Sequence, residues 1–221
     1  MKRIAVPLTV VCVVLLAGFV VDQVVRTLQF LTAVERERDT WQRPDEIIRQ
    51  LQVSAGDTVV DLGSGAGYFA LKIAPRVAPD GRVLAVDLRR QSLAFLWIRA
   101  TLAGHSNLHV IHGRGDDPQL PPGPVDAALV ANTYHEIATP EPVLRALFAS
   151  MRPGARLVVV DRGPRHAIES GGATAEHHEI TAAVAEHQIN QQGFETFDRD
   201  DRFIDRPMDE DLWWLIVFRK P

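Results

Sequence analysis

The chain has 221 residues, of which 46% are hydrophobic and 24% charged, and it carries a formal net charge of -4. This composition is typical of a globular protein and excludes an intrinsically disordered chain. The acidic balance, without a Lys/Arg cluster, argues against a general nucleic-acid-binding protein, which is usually basic. The single cysteine, Cys12, lies in an apolar stretch, so an intrachain disulfide and a cysteine-based metal site are excluded.

The first predicted element is an apolar segment from Ile4 to Val21, which contains no charged residue and follows Lys2 and Arg3. Its length of about 18 residues just reaches that of a membrane span. A cleaved signal peptide is the alternative, but Leu15 and Leu16 are too large for the small-residue position that precedes a cleavage site. The segment therefore predicts an uncleaved membrane anchor.

The sequence predicts three parts. Residues 1–31 form the membrane anchor, whose apolar pattern continues past Asp22 as an amphipathic helix. Residues 32–50 form a helical linker or a lid over the ligand site, and residues 51–221 form one α/β domain. Positive charges stand on both sides of the apolar segment, so the charge rule does not decide its orientation in a membrane.

Two sequence periods alternate from about residue 45 onward, and this alternation of short β-branched runs with longer helical patterns is typical of a parallel sheet with crossover helices. Strands are predicted, in chain order, from Thr58 to Leu62, Arg82 to Val86, Leu108 to Ile111, Val125 to Ala131 and Arg156 to Asp161. Helices are predicted on the apolar face of Leu93, Leu96, Trp97 and Ala100, from Pro140 to Met151, and from about Ala173 to Gln192. Two closing strands follow, from Glu195 to Phe203 and from Asp211 to Arg219.

The first predicted strand runs into a glycine-rich turn that reads Asp61-Leu62-Gly63-Ser64-Gly65-Ala66-Gly67. Glycines without side chains let the backbone approach a ligand closely at the carboxyl end of a strand. A glycine turn by itself also fits a tight connection between a strand and a helix. Asp87, however, directly follows the second strand, where its carboxylate can accept hydrogen bonds from both hydroxyls of a ribose. Together the two features indicate a nucleoside-containing cofactor.

The spacing Gly63-x-Gly65-x-Gly67, preceded by Asp61, differs from the dinucleotide fingerprint G-x-G-x-x-G. It resembles the first motif of class I S-adenosylmethionine-dependent methyltransferases. The resemblance covers roughly residues 39–219 and is greatest to the quinone and arsenite methyltransferase branch. The other segments that carry it are Asp39-Thr40-Trp41-Gln42-Arg43-Pro44, Gly113-Arg114-Gly115-Asp116-Asp117-Pro118, Asn132-Thr133-Tyr134-His135-Glu136-Ile137 and Arg152-Pro153-Gly154.

The resemblance implies a Rossmann-like, doubly wound sheet of seven strands with a reversed terminal strand, and S-adenosyl-L-methionine as the cofactor. In such a site a helix beginning near Tyr68 faces the methionine carboxylate, where its partial positive charge is favourable. By position, the methionine part is assigned to Asp61, Gly63, Gly65 and Gly67, the ribose to Asp87, the adenine amino group to Asp116 or Asp117, and the closing edge of the pocket to Asn132. Either loop aspartate equally fits a turn-former beside Pro118.

The candidate catalytic residues are Tyr134, His135 and Glu136, which follow the fourth predicted strand at its carboxyl end, where ligands bind in open α/β sheets. His135, with an ordinary pKa of about 6.5, can take a proton from a hydroxyl or an activated carbon nucleophile near neutral pH. Tyr134 is expected to pack against the acceptor and Glu136 to orient the imidazole. The alternative is that His135 only hydrogen-bonds the loop and shapes the pocket.

The expected activity is transfer of a methyl group to a small or lipid-like acceptor, whose identity the sequence does not reveal. Arsenite fits poorly, because its binding needs several pocket cysteines and Cys12 lies in the anchor. No nucleic-acid partner is expected, and nothing indicates an oligomeric state. The catalytic domain is expected on the cytoplasmic side of the membrane, since the cofactor is made in the cytosol.

Two other functions stay open. A nicotinamide-dependent oxidoreductase uses a similar sheet, but the G-x-x-G ending of its fingerprint is missing here. A membrane-tethered binding protein would hold the cofactor without turnover. No metal site is expected, because His177-His178-Glu179 and His187 lack the second histidine of the H-E-x-x-H pattern and are interpreted as solvated or capping residues.

Overall fold

The computed structural model describes residues 8–164, 179–209 and 211–221. The chain divides into two compact units, one extending to Thr40 and the other covering Trp41–Pro221.

The N-terminal unit is helical. Helix α1 runs over 34 residues, Leu8–Trp41, without interruption. Apolar side chains such as Val13, Leu16 and Phe19 are exposed along it. By length and composition alone, its segment Cys12–Trp41 is a candidate membrane span, with a mean hydropathy of 1.5 in its most apolar window, none of which is buried. The predicted anchor begins at residue 4, and residues 4–7 lie outside the described part of the chain.

The second unit is built on a seven-stranded sheet with the strand order β3-β2-β1-β4-β5-β7-β6. Strands β1 to β5 are parallel, and β7 is antiparallel to both of its neighbours, so the reversed terminal strand is confirmed. The parallel strands are β1 (Thr58–Leu62), β2 (Arg82–Asp87), β3 (Leu108–His112), β4 (Val125–Ala131) and β5 (Met151–Arg162), and the closing strands are β6 (Glu195–Arg206) and β7 (Asp211–Arg219).

Helices cover both faces of this sheet, which explains why β1 is buried at every residue. Helices α2 (Pro44–Gln50), α3 (Ala70–Val77) and α4 (Arg90–Leu102) contribute to the hydrophobic core on one face, which includes Ile47, Ile73, Leu96 and Trp213. Helices α5 (Pro140–Ser150) and α6 (Ala182–Asn190) contribute to the core on the other face, which includes Leu144, Leu147, Ile189 and Trp214. The strand order reverses direction between β1 and β4, and the site lies at this switch point.

Three predicted elements differ from the structure. Helix α2 belongs to the globular unit and buries Ile47 and Ile48 in its core, although residues 32–50 were expected to form a linker or lid. Trp97 is 60% exposed and does not share the buried face of α4, because the helix buries only the narrow stripe that meets the sheet. Strand β5 begins at Met151, earlier than expected, because Met151 already pairs with Val125.

The last helix is shorter than predicted. Helix α6 begins at Ala182, where the Thr181 hydroxyl accepts a hydrogen bond from the Val184 amide at 3.3 Å and caps the helix. It ends at Asn190, ahead of Gly193, whose φ of +95° suits the turn into β6. The first part of the predicted helix, residues 173–178, lies outside the described residues.

We expect Trp214→Ala to lower the free energy of unfolding by about 3–5 kcal/mol, because the substitution opens a cavity in the core. Trp214 is 2% exposed, and its indole donates a hydrogen bond to the Ile180 carbonyl at 2.7 Å. Trp97→Ala is the matched control and should change stability by no more than about 0.5 kcal/mol. Denaturant unfolding of the detergent-solubilised chain measures both, and equal losses would contradict the packing described here.

Candidate active site

The glycine-rich turn lies across the carboxyl end of the sheet, between β1 and α3. The amides of Gly63 and Ser64 both donate to the Val86 carbonyl, at 2.8 and 3.0 Å, which ties the turn to the end of β2. The Gly67 amide donates to the Ser64 carbonyl at 2.9 Å and closes the turn. Helix α3 begins at Ala70, two residues later than the sequence predicted.

The three glycines of this turn all have positive φ angles but different surroundings. Gly63 has a φ of +78°, and a Cβ built on it would lie 2.1 Å from Thr133 Oγ1, so only glycine fits there. Gly65 has a φ of +54°, and a Cβ built on it meets no heavy atom of the described residues within 4 Å. At Gly67 the close neighbour is Leu96 of α4. Gly65 therefore faces open space, and a ligand can approach its backbone.

Asp87 stands at the end of β2 and holds the turn in place. Its carboxylate accepts hydrogen bonds from the Gly65 amide at 2.8 Å and from the Arg89 amide at 2.7 Å. An ionised carboxylate has about four acceptor sites. Asp87 can therefore accept further bonds from ligand hydroxyls while it orders the turn.

Buried polar atoms surround the same edge of the sheet. Asp61 is 2% exposed at the end of β1. Ser64 Oγ and Asn132 Oδ1 are buried and have no hydrogen-bond partner among the described residues. Asn132 follows β4 and has a backbone in the left-handed region, with a φ of +53°. Its backbone amide donates to the Val160 carbonyl at 2.8 Å. Buried polar atoms are nearly always hydrogen-bonded, so these atoms fit a polar ligand that supplies the partner.

The two loop aspartates have different surroundings. Asp117 accepts a hydrogen bond from the Gln119 amide at 2.8 Å and another from the Gln119 side chain, which is the turn-forming arrangement. Asp116 is exposed and makes no hydrogen bond or ion pair with the described residues. The loop itself is joined to β2 through the Gly113 amide, which donates to the Asp87 carbonyl at 3.1 Å. The carboxylate of Asp116 is therefore more available to a ligand than that of Asp117.

His135 lies on the other side of the turn, in the short 3-10 helix Tyr134–Glu136. Its ring Nδ1 lies 2.7 Å from Asp161 Oδ1, and its backbone amide donates to Asp161 Oδ2 at 3.1 Å. The His135 side chain is 5% exposed, and that of Asp161 is fully buried. Asp161 thus fixes both the ring and the backbone of His135.

The charges around His135 favour its protonated form. Burial lowers the pKa of His135, but the hydrogen bond to Asp161 and the charges of Asp161 and Glu136 outweigh burial and the opposing charge of Arg162. The pKa of His135 is therefore raised above its ordinary value of 6.5. A histidine with such a pKa takes up a proton readily near neutral pH.

Tyr134 and Glu136 are placed differently from each other. Tyr134 is 2% exposed within the core beside α5 and α6, and its hydroxyl donates to Gln188 Oε1 at 2.9 Å. Burial raises the pKa of Tyr134 above its ordinary range, so the phenol stays neutral. Glu136 is half exposed, and its Oε1 lies 3.8 Å from His135 Nε2. Tyr134 thus anchors the 3-10 helix, and Glu136 stays beside the imidazole.

Asp161 was not among the predicted site residues, although the sequence contains one signal for it. Asp161 ends the apolar run Leu157-Val158-Val159-Val160, just as Asp61 and Asp87 end theirs. A carboxylate at the carboxyl end of a buried parallel strand lies where ligands bind. Of the histidines interpreted as solvated or capping residues, His177 and His178 lie outside the described residues, and His187 contacts Gln191 at the end of α6.

Comparisons with known proteins agree with this geometry. A family model described as a methyltransferase domain matches residues 53–204. A demethylmenaquinone methyltransferase of Symbiobacterium thermophilum is 25% identical over 134 residues, which are 60% of this chain and 52% of that protein. An arsenite methyltransferase of Halobacterium salinarum is 30% identical over 111 residues, which are 49% of this chain and 28% of that protein. The chain thus spans about half the length of the demethylmenaquinone methyltransferases it matches.

A solved structure shares the fold. The crystal structure of an S-adenosylmethionine-dependent methyltransferase from Aquifex aeolicus has a TM-score of 0.68 and 20% sequence identity, and the match covers 80% of this chain and 89% of that one. The sheet order, the glycine turn and the family match lead to the same assignment. The chain therefore belongs to the methyltransferase-domain family and has the fold of an S-adenosylmethionine-dependent methyltransferase.

Proposed function

We propose that the chain is an S-adenosylmethionine-dependent methyltransferase that acts on a small or lipid-like acceptor. The observation that carries the proposal is the glycine turn, which Asp87 holds by a 2.8 Å bond to the Gly65 amide and which opens at Gly65 toward space for a ligand. The family match over residues 53–204 supports the same activity. The absence of cysteines outside the anchor argues against an acceptor like that of the arsenite methyltransferases.

We assign the cofactor contacts from the positions of the site residues. Asp61, Gly63, Gly65 and Gly67, together with Ser64 Oγ, would hold the methionine part. Asp87 would bind the ribose, and Asn132 would close the pocket at the end of β4. Asp116 is the preferred partner of the adenine amino group, because the carboxylate of Asp117 is engaged by Gln119.

The chemistry needs little from the protein beyond orientation and removal of a proton. Bound S-adenosylmethionine supplies a methyl group that its sulfonium already activates. The protein orients the acceptor for in-line attack and excludes water. Such orientation can give an effective concentration of about 10⁵ M or more. In this proposal His135 is the general base that takes the acceptor's proton. The acidic balance of the chain supports a small-molecule acceptor over a nucleic acid.

We further propose that α1 anchors the enzyme in a membrane, with the globular unit on the cytoplasmic side. The support is the long helix with exposed apolar side chains and the low charge of its N-terminal half. Cytoplasmic placement gives the site access to a cofactor made in the cytosol. Membrane anchoring also suits an amphipathic or lipid-like acceptor, which concentrates at the same surface.

We expect Asp87→Ala to weaken S-adenosylmethionine binding about ten- to a hundredfold, because charge-assisted hydrogen bonds worth roughly 1.5–3 kcal/mol are lost. The variant also frees the Gly65 amide, which loosens the turn. Isothermal titration calorimetry of the detergent-solubilised chain measures the affinity. Asp80→Ala, which removes an exposed carboxylate outside the site, is the control. Unchanged affinity in Asp87→Ala would remove the ribose role.

We expect His135→Ala to lower the methyl-transfer rate by roughly 10²-fold or more, with cofactor affinity nearly unchanged, once an acceptor is known. The base acts in its neutral form, and the pKa of His135 is raised. The wild-type rate should therefore rise with pH through a midpoint above 6.5. His109→Ala, an exposed histidine of β3, serves as the control. A His135→Ala enzyme that keeps its full rate across the pH range shows that another group is the base.

We expect the chain to stay with the membrane pellet after alkaline carbonate extraction and to resist protease added to intact spheroplasts. The double substitution Leu15→Arg and Leu16→Arg should release the chain from the membrane, because each charge near the centre of a span costs about 2.5–3.5 kcal/mol. Arg at Phe197, an exposed residue of β6, is the control. Full extraction of the wild-type chain by carbonate would refute the anchor, and digestion of the globular unit in spheroplasts would refute the orientation.

A further inference from the structure

We propose that Asp161 is a positioning residue for methyl transfer, which holds His135 with its Nδ1 protonated and leaves proton exchange to Nε2. The inference rests on the proposed function, since it concerns the base of that reaction. Asp161 accepts from both the ring Nδ1 and the backbone amide of His135, at 2.7 and 3.1 Å. Two bonds to one carboxylate fix the position and the rotation of the ring at the same time.

The surroundings of Asp161 make this arrangement rigid. Its carboxylate is fully buried, and it accepts a third hydrogen bond from the Arg162 amide at 2.7 Å. A buried carboxylate is costly unless donors satisfy it, and these three donors do so. Asp161 lies inside the sheet, where it pairs with Trp214 of β7. The pairing of β5 with β7 therefore holds its backbone in place. The carboxylate therefore cannot rotate away without losing its partners.

Glu136 does not take over this role. Its Oε1 lies 3.8 Å from His135 Nε2, beyond hydrogen-bond distance, and its side chain is 47% exposed. Its other oxygen accepts from Arg89 at 3.4 Å. Glu136 contributes charge near the ring, whereas Asp161 provides the geometry. This replaces the expectation that Glu136 orients the imidazole.

The arrangement specifies the class of acceptor. An imidazole held at Nδ1 by a carboxylate is suited to take a proton at Nε2 and to stabilise the imidazolium that forms. The acceptor is therefore a group that carries a dissociable proton, either a hydroxyl or an acidic carbon. That proton passes to Nε2, and the electron pair it leaves forms the new bond to the methyl carbon. The methyl–sulfur bond breaks with its electron pair kept by sulfur, and S-adenosylhomocysteine is released.

Among the described residues, four charged groups near His135 affect its titration. The carboxylates of Asp161 and Glu136 favour the imidazolium, and the Arg162 guanidinium opposes it. Arg89 pairs with Glu136 and reduces the influence of that carboxylate. Loss of the Asp161 charge should have a larger effect than loss of the Glu136 charge, because Asp161 is both closer to the ring and buried.

Histidine-selective ¹⁵N labelling of the full chain in detergent tests the inference without an acceptor. The long-range proton–nitrogen spectrum reports which ring nitrogen carries the proton, and His135→Gln assigns the signal. We expect the neutral wild-type ring to be protonated at Nδ1 and its pKa to lie above 6.5. Asp161→Asn should lower that pKa by about one unit or more, and Glu136→Gln should lower it by less.

A wild-type ring protonated at Nε2 would overturn the proposal, and so would an Asp161→Asn titration that matches the wild type. The wild-type tautomer decides the question if Asp161→Asn fails to fold. Cofactor titration of the same samples tests the proposed function separately, because the side-chain hydrogen bonds of Asp161 among the described residues go to His135 and Arg162 and not to the glycine turn. With an acceptor in hand, Asp161→Asn should lower kcat more than it raises KM and shift the pH profile to lower pH, whereas a structural defect alone would leave the profile in place.

Discussion

The contact between Gly63 and Thr133 joins the two halves of the active site. Gly63 belongs to the turn after β1, and Thr133 follows β4; the Thr133 hydroxyl oxygen lies 3.4 Å from the Gly63 carbonyl oxygen and 3.2 Å from that of Ala131, and it donates its one hydrogen to either. Any side chain at position 63 would overlap Thr133. The missing Cβ therefore lets the glycine turn lie directly against the segment that carries His135. In the proposed reaction the methyl donor and the base share one small volume, and this contact brings together the two segments assigned to them.

The strands of the fold were predictable because a sheet covered on both faces needs apolar, β-branched residues along nearly its whole length. Strands β1 and β4 match their predicted bounds for this reason. The errors occur where tertiary contacts decide. Trp97 shares the helical period of Leu93 and Leu96, but only part of that helix face is buried and Trp97 lies outside it. Helix α2 lies in the segment predicted as a helical linker or lid, and only tertiary contacts bury its Ile47 and Ile48 in the core.

The candidate site likewise contains some residues that the local sequence predicts and others that depend on tertiary contacts. The glycine turn directly follows β1 and Asp87 is the last residue of β2, so both could be chosen as candidate site residues from the local sequence. The partnership of His135 with Asp161 spans 26 positions and depends on β4 and β5 being neighbours, which no short motif encodes. Tyr134 shows the reverse error. Its position beside His135 suggested contact with the acceptor. The 3-10 helix instead directs its ring into the core, where its hydroxyl donates a hydrogen bond to Gln188.

The hydrogen bond between Asp87 and the Gly65 amide has a thermodynamic consequence. Three glycines in one short turn make the unfolded segment unusually flexible, and ordering each residue costs about 1–2 kcal/mol of conformational entropy. The protein's own carboxylate already orders this turn, so that entropy is lost when the chain folds and not when a ligand arrives. A ligand then meets an ordered surface, so the cost of ordering the turn is not subtracted from the free energy of its contacts. The flexibility that allows the turn to form is thus removed before it can weaken binding.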